Sequence, residues 1–214
     1  MKLFKRREVL FPTLVGWIVM FAASAGVVMG VILKIYPFLA VTNPILEGDL
    51  VVEGWLPDDA LESAVYEFKK GLYRKVYVIG TPIELGGHLS SYKTYAELGA
   101  ATLRSMGMPA ELVQAIPGPK VTKDRTYASV IALTDWQRAN GIAPTRYHII
   151  SLGPHARRTR LLFEKAIGDG SEVGITAVRD DAYDPDRWWS SSAGVRSVIS
   201  EASAYAYARL LFNP

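Results

Sequence analysis

The feature that most constrains this chain is a run of 25 residues near its start that contains no charged side chain. The run extends from residue 9 to residue 33 and reads VLFPTLVGWIVMFAASAGVVMGVIL. About 20 such residues in a helix suffice to cross the hydrocarbon core of a membrane. The sequence therefore predicts a transmembrane anchor at 9–33.

The charges on the two sides of this run differ in sign. Segment 1–8 holds four basic residues and one acidic residue, whereas residues 35–59 hold acidic residues only. Lys and Arg are enriched in the cytoplasmic segments of membrane proteins. We therefore predict a cytoplasmic segment at 1–8, a single pass through the inner (plasma) membrane and a C-terminal domain outside the cytoplasm.

A cleaved signal peptide is the alternative interpretation of the same run. Ala23-Ser24-Ala25 has the small-x-small form of a cleavage site. Apolar sequence continues beyond this tripeptide to Leu33. This continuation favours an uncleaved anchor, and cleavage stays open as the second reading.

Charge separates the anchor from the rest of the chain. The whole chain has 24 Lys and Arg and 21 Asp and Glu, and five of the basic residues and one of the acidic residues lie within 1–34. The remainder therefore carries 19 basic and 20 acidic residues, a net charge of −1. This balance argues against a nucleic-acid partner. The absence of cysteine excludes disulfides and thiolate chemistry, and it disfavours a structural zinc site.

After a stalk predicted at 34–48, short apolar runs alternate with segments of helical periodicity. The apolar runs are 50–52, 76–79, 112–116, 147–150 and 173–178. The first helical segment begins after Pro57, the second ends near Gly107 and the third ends near Asn140. The fourth occupies 156–167, and the fifth surrounds Val198. This alternation predicts an extracytoplasmic α/β domain at 49–214. Its expected architecture is three-layered and doubly wound, with a mostly parallel sheet of about five strands.

Ligands of open α/β sheets bind outside the carboxyl ends of the strands. The residues that follow the predicted strands are therefore the candidate site. Those with functional side chains or backbones are Glu53, Gly54, Trp55, Thr81, Lys123, Asp124, Arg125, Thr126, His155, Arg157 and Arg158.

The helix predicted at 156–167 begins with an unusual amount of positive charge. His155, Arg157 and Arg158 stand where the helix N-terminus is already partly positive. A bound phosphate would remove this conflict, because the free N–H groups and the arginines could hold it together. The alternative is a set of solvated arginines. If Arg158 holds a phosphate, Arg158→Ala should abolish phosphate binding and still leave folding almost intact, because an exposed arginine in the first turn adds little to stability. His155 is a candidate general acid or phosphate ligand.

A second cation, Arg125, stands at a second helix start. Asp124 before it is a natural N-cap, and Thr126 falls in the first turn. We expect Arg125 to share one anion pocket with the cations after residue 154. Glu53 and Asp124 are candidates for the catalytic acid or base, and Glu53 could instead be a metal ligand or pair with an arginine. Gly54 would allow close approach of a ligand.

The last helix and the segment before it hold further candidates. Glu201 lies on a face of small residues, which suits one buried acid and makes it a candidate substrate-binding residue; an exposed charge is an equally good reading. Trp188-Trp189 could form a lid or a membrane-facing patch, although aromatic core packing is the default. The aspartates at 180–186 are read as loop and turn residues, so no metal is assigned. No sequence pattern identifies a cofactor.

Four stretches of the outer domain resemble the family of envelope proteins typified by ElyC, SanA and YdcF. They are VVEGWLPDDALESA, VTKDRTYASVIAL, SLGPHARRTRLLFEKAIG and the helix that contains Glu201. The resemblance covers 49–211 and rests on the order and spacing of these stretches. Many members are glycine-rich where this chain has Glu53-Gly54-Trp55. The resemblance implies a membrane-anchored α/β domain connected with envelope or peptidoglycan metabolism, and it assigns no catalytic residue.

Three functions fit these observations. The first is an enzyme or binding protein for a phosphorylated, lipid-linked or soluble envelope metabolite, with a hydrolase or transferase as the reaction class. The second is a scaffold that recruits envelope-synthesis proteins through an exposed patch. The third is a domain that binds a nucleotide-like cofactor, which the absence of Gly-x-Gly-x-x-Gly after the first strand disfavours.

Overall fold

A computed structural model of the protein describes residues 10–143, 146–168 and 170–214. The chain divides into two compact units, Met1–Ile35 and Tyr36–Pro214. The basic segment predicted at 1–8 lies outside the described residues. Helix α1 (Leu14–Leu39), most of which belongs to the first unit, is long and apolar enough to cross a membrane, with a mean hydropathy of 2.3. The tripeptide Ala23-Ser24-Ala25 lies within this helix.

In the second unit, strands and helices alternate as the sequence predicts. The strands are β1 (Glu47–Glu53), β2 (Leu72–Gly80), β3 (Val113–Pro117), β4 (Arg146–Leu152) and β5 (Glu172–Val178). The helices are α2 (Asp58–Lys70), α3 (Tyr95–Ser105), α4 (Arg125–Ala139), α5 (Ala156–Ile167) and α6 (Ser192–Leu210). The predicted α/β class and the number of strands are both confirmed.

The five strands form one sheet in the order β3-β2-β1-β4-β5, and every neighbouring pair is parallel. From β1 the chain proceeds to β2 and β3 on one side, and it then crosses to β4 and β5 on the other. The carboxyl ends of β1 and β4 therefore flank the point where the strand order reverses. In doubly wound sheets this switch point is the usual position of a ligand.

Side chains alternate along the strands between two apolar cores. Leu50 and Val52 of β1 pack in one core with α2 and α3, while Val51 points into the other core with α4 and α5. Such alternation follows from the two-residue repeat of a strand. Helix α6 lies outside these layers and packs on α5 through Leu161, Leu162 and Ala208.

The segment predicted as a stalk at 34–48 is largely part of the folded domain. The second unit begins at Tyr36, and the side chain of Leu39 is fully buried. Asn43 forms an antiparallel bridge with Ile175, and β1 already begins at Glu47. The stalk prediction relied on Pro and Gly as loop signals, and such signals do not reveal whether a loop packs against the sheet.

Candidate functional site

Glu53 is a fully buried carboxylate at the carboxyl end of β1. Its side chain is 2 % exposed. Ser151 of β4 donates a hydrogen bond to its Oε2 at 2.5 Å, and Thr159 of α5 donates to its Oε1 at 3.4 Å. Because β1 and β4 are neighbours, the sheet itself places Ser151 beside Glu53. A buried carboxylate is rarely found without such partners.

His155 lies between two carboxylates. Its Nε2 is 3.3 Å from Oε1 of Glu53, and its Nδ1 is 2.9 Å from Oε1 of Glu201. The residue ends the short 3₁₀ turn Gly153–His155 that leads directly from β4 into α5. The Trp55 ring packs edge-on against the imidazole at a centroid distance of 5.1 Å.

Arg158 completes the cluster from the first turn of α5. Its Nε donates to Oε2 of Glu201 at 2.8 Å, and its Nη2 lies 3.0 Å from Oε1 of the same carboxylate. This two-point contact explains why α6, which lies outside the three layers, is tied to α5 at this position. The positive charge at the start of α5 thus has two internal partners, Glu53 and Glu201.

The pKa values of His155, Glu201 and Glu53 are shifted by burial and by their neighbours in this cluster. Burial alone would lower the pKa of His155, but the charge of Glu53 and the hydrogen bonds of Glu201 and Glu53 outweigh it and raise the pKa to about 9. Burial alone would raise the pKa of Glu201, but hydrogen bonds from His155 and Arg158 lower it to about 2. For Glu53, burial alone would raise the pKa, but the charge of His155, hydrogen bonds from His155 and Ser151 and the charge of Arg158 together lower it. The imidazole is therefore a cation at neutral pH.

This cluster forms part of the wall of a cavity of about 610 Å³. Of the residues predicted from sequence, the cavity is lined by Glu53, Trp55, Thr81, Lys123, Asp124, Arg125, Thr126, His155, Arg158 and Glu201. The structure thus brings together the ends of β1, β2 and β4 and the start of α4. Apolar side chains of α5 and α6, including Leu162 and Tyr207, line the remaining wall.

The structure does not bring Arg157 into this cavity, contrary to the expectation of one pocket for all the cations. Its guanidinium lies over the Phe38 ring at 4.0 Å, and its Nε donates to the Phe38 carbonyl. Consecutive residues of a helix point in directions about 100° apart, so Arg157 and Arg158 cannot face the same ligand.

Gly54 also lies outside the cavity lining. A Cβ at this position would come within 2.2 Å of the Tyr95 carbonyl, at the start of α3. The glycine therefore permits close packing of helix on strand. The predicted role of Gly54 in the approach of a ligand is therefore wrong.

Asp124 occupies the N-cap position of α4, but its side chain makes no capping hydrogen bond. Its φ of 55° makes it the one non-glycine residue with positive φ among the described residues. The capping role predicted for Asp124 is therefore wrong. Arg125 pairs with exposed Glu84 at 2.6 Å, and Arg158 pairs with Glu201, so the possible pairing of Glu53 with either arginine is not observed.

Sequence reasoning missed the residues that hold the cluster in place. Ser151 is a polar residue within the apolar strand β4, and this interruption was a usable signal. Thr159 shares the 3,4 spacing of the apolar residues in its helix, and this spacing does not indicate its contact with Glu53. Glu84 gave no signal, because it lies in the loop between β2 and α3 and reaches Arg125 only in the folded chain.

The loop aspartates at 180–186 lie apart from the cavity. Asp184, one of the loop aspartates, accepts a hydrogen bond from the Asp186 amide and pairs with Arg187, as expected of a turn residue. Within residues 10–143, 146–168 and 170–214, no cluster of three or more His, Asp or Glu side chains could hold a metal ion.

Comparison of the sequence with models of known protein families gives no match, and comparison with curated proteins gives none either. The interpretation of the site therefore rests on its geometry.

Proposed function

We propose that this protein is a membrane-anchored domain that binds and processes a phosphorylated metabolite of the cell envelope. One observation carries the proposal. The charged cluster of Glu53, His155, Arg158 and Glu201 is buried in the wall of a large cavity, at the switch point of a doubly wound sheet. Clustered buried charges cost stability unless every member is paired, and perturbed ionisable groups in a cleft are typical of functional sites.

The geometry divides the candidate catalytic roles among three residues. His155 carries a proton at neutral pH and borders the cavity, so it is the candidate general acid. Glu53 is already bound to His155, Ser151 and Thr159, which makes it a positioning residue. Asp124 has no ion pair among the described residues and lines the same cavity, so it is the candidate base.

The resemblance to the family of ElyC, SanA and YdcF supports an envelope substrate. The helix Leu14–Leu39 supports attachment to the membrane. A tether suits a lipid-linked substrate, because it confines the domain to the surface where that substrate resides. The basic residues of segment 1–8 support a cytoplasmic N-terminus and an extracytoplasmic domain in the inner membrane.

The tryptophan pair, one candidate surface for the scaffold alternative, offers little exposed area. Trp188 is only 5 % exposed, and Trp189, at 41 %, packs edge-on against it. One partly exposed ring is a much smaller patch than protein recruitment requires. We therefore rank recruitment below ligand binding.

Thermal stabilisation of the full-length protein in detergent micelles tests ligand binding. A ligand at a hundredfold excess over Kd adds about 2.7 kcal/mol to the free energy of unfolding. For a domain of this size, that should raise Tm by roughly 5 to 10 °C. Phosphorylated envelope precursors, soluble and lipid-linked, are compared with their unphosphorylated forms. If no phosphorylated compound raises Tm, the proposed function fails.

A reporter fused after Pro214 tests the topology. Activity of a reporter that functions only outside the cytoplasm supports the proposed orientation. Activity of a reporter that functions only inside the cell contradicts it. Release of the protein from membranes by a salt wash would contradict anchoring by the helix, because an apolar span is not held by charge.

A further inference from the structure

The cations at the start of α5 already have anionic partners. His155 contacts Glu53 and Glu201, and Arg158 contacts Glu201 through two nitrogens. An anion placed beside these cations would also meet the two carboxylates. The charges on this wall of the cavity therefore balance. An anion would bind more favourably at a wall that has free hydrogen-bond donors and fewer carboxylates.

The start of α4 provides such a surplus on another wall. The backbone N–H groups of Arg125 and Thr126 have no acceptor among the described residues, and the Asp124 side chain does not cap them. Both residues line the cavity. Free N–H groups at a helix N-terminus form a ready anion site, although on their own they do not establish one.

Two buried hydroxyl groups supply an independent indication of a ligand. Ser129 is 4 % exposed and Thr81 is 8 % exposed, and both line the cavity. Neither side chain has a hydrogen-bond partner within the described part of the chain. Neither oxygen is among the fully buried side-chain atoms without a partner in the described residues, so both hydroxyls open onto the cavity and are free to bind a ligand there. Lys123 lines the same region and has no ion pair with any described residue.

We propose that the start of α4, together with Lys123, Thr81 and Ser129, binds a tetrahedral oxyanion, a phosphate or phosphate ester. This inference rests on the proposed function, because it assigns the anionic group of the same ligand to one wall of the same cavity. The cluster around His155 then faces the part of the ligand beyond the phosphate. The Asp124 carboxylate lines the cavity as well, and it opposes the bound charge.

Calorimetric titration of inorganic phosphate into the full-length protein in micelles tests the assignment. Lys123→Gln and Ser129→Ala should each weaken phosphate binding about tenfold or more, as expected for a hydrogen bond to a charged group. Asp124→Asn should strengthen binding, because it removes a negative charge from the cavity. Arg157→Ala is the matched control, since this cation lies outside the cavity and should leave binding unchanged.

The inference would be overturned if Lys123→Gln and Ser129→Ala both bind phosphate with the affinity of the wild type. It would also be overturned if Asp124→Asn binds phosphate more weakly than the wild type. Failure of the wild-type protein to bind inorganic phosphate at about 50 mM would also overturn the inference. Glucose 1-phosphate and a polyprenyl monophosphate in the same micelles distinguish a soluble source of the oxyanion from a lipid-linked one. If phosphorylated precursors still raise Tm in both variants, the proposed function stands and only this assignment falls.

Discussion

The Nδ1 atom of His155 lies 2.9 Å from Oε1 of Glu201, which joins the 3₁₀ turn before α5 to the middle of α6. The two residues are 46 positions apart in the chain. The same carboxylate accepts two hydrogen bonds from Arg158. Glu201 is thus the shared partner of both cations.

We expect Glu201→Gln to be strongly destabilising. It leaves Arg158 with no carboxylate and His155 with only one, and removal of one partner from a buried ion pair costs about 3 kcal/mol or more. Chemical denaturation of the full-length protein measures the loss. Glu164→Gln is the control, because the exposed pair of Arg160 and Glu164 should contribute about 0.5 kcal/mol. Equal effects of the two substitutions would contradict the buried network.

Stability should fall on the alkaline side because of His155. Its pKa of about 9 lies above the value of 6.5 in the unfolded chain. The stabilisation is therefore complete below pH 6.5 and is lost as the pH rises through 9, by about 3 kcal/mol in all. NMR titration of the imidazole measures the pKa directly, and His155→Gln should flatten this part of the stability profile. A pKa near 6.5 would contradict the prediction.

His148 should have the opposite effect on the acid side. It is fully buried in β4, where Nδ1 accepts a hydrogen bond from the Ile45 amide, and burial lowers its pKa to about 4. The unfolded chain binds the proton more readily, so this contribution to stability is lost as the pH falls from 6.5 through 4. Titration of the His148 ring signals checks this. A ring that gains its proton near pH 6.5 in the folded protein would be the contrary result.

Arg158→Ala and Arg157→Ala should differ in stability although the residues are adjacent. Arg158→Ala leaves Glu201 partly unpaired and should cost about 2 to 3 kcal/mol after allowance for partial exposure. Arg157→Ala removes a cation–π contact with Phe38 and should cost about 1 kcal/mol. This revises the expectation that Arg158→Ala would leave folding intact. Tm values of the two variants decide between the alternatives, and a larger loss for Arg157→Ala would contradict the structure.

A shortened chain should begin at Tyr36 to keep the domain stable. A start at Glu47 would delete fully buried Leu39, the Asn43 bridge to Ile175 and the Ile45 carbonyl that accepts a hydrogen bond from Tyr73. Burial of a leucine alone contributes about 1.5 to 3 kcal/mol, so the shorter chain should lose at least about 3 kcal/mol. Denaturation of both chains provides the comparison. Equal stability would show that 36–46 is a stalk after all.

Much of the fold could be predicted because the relevant signals are local. An uncharged run defines the apolar helix, and the period of the hydrophobic pattern distinguishes strands from helices. Proline and glycine then mark most helix ends, as at Pro57 and Gly71. The carboxyl ends of parallel strands meet at one edge of the sheet, so Glu53 and His155 could be placed near each other without coordinates.

Only the tertiary structure decided how the charges pair. Residues 53, 155, 158 and 201 are far apart in the chain, and their partners depend on strand order and on where α6 packs. The direction of a side chain around its helix separates Arg158 from Arg157, and the contact of Gly54 with Tyr95 depends on how closely α3 approaches the sheet. Periodicity in a sequence determines which face of an element is apolar. Pairing of polar groups depends on distances between elements, and those distances are set only when the domain packs.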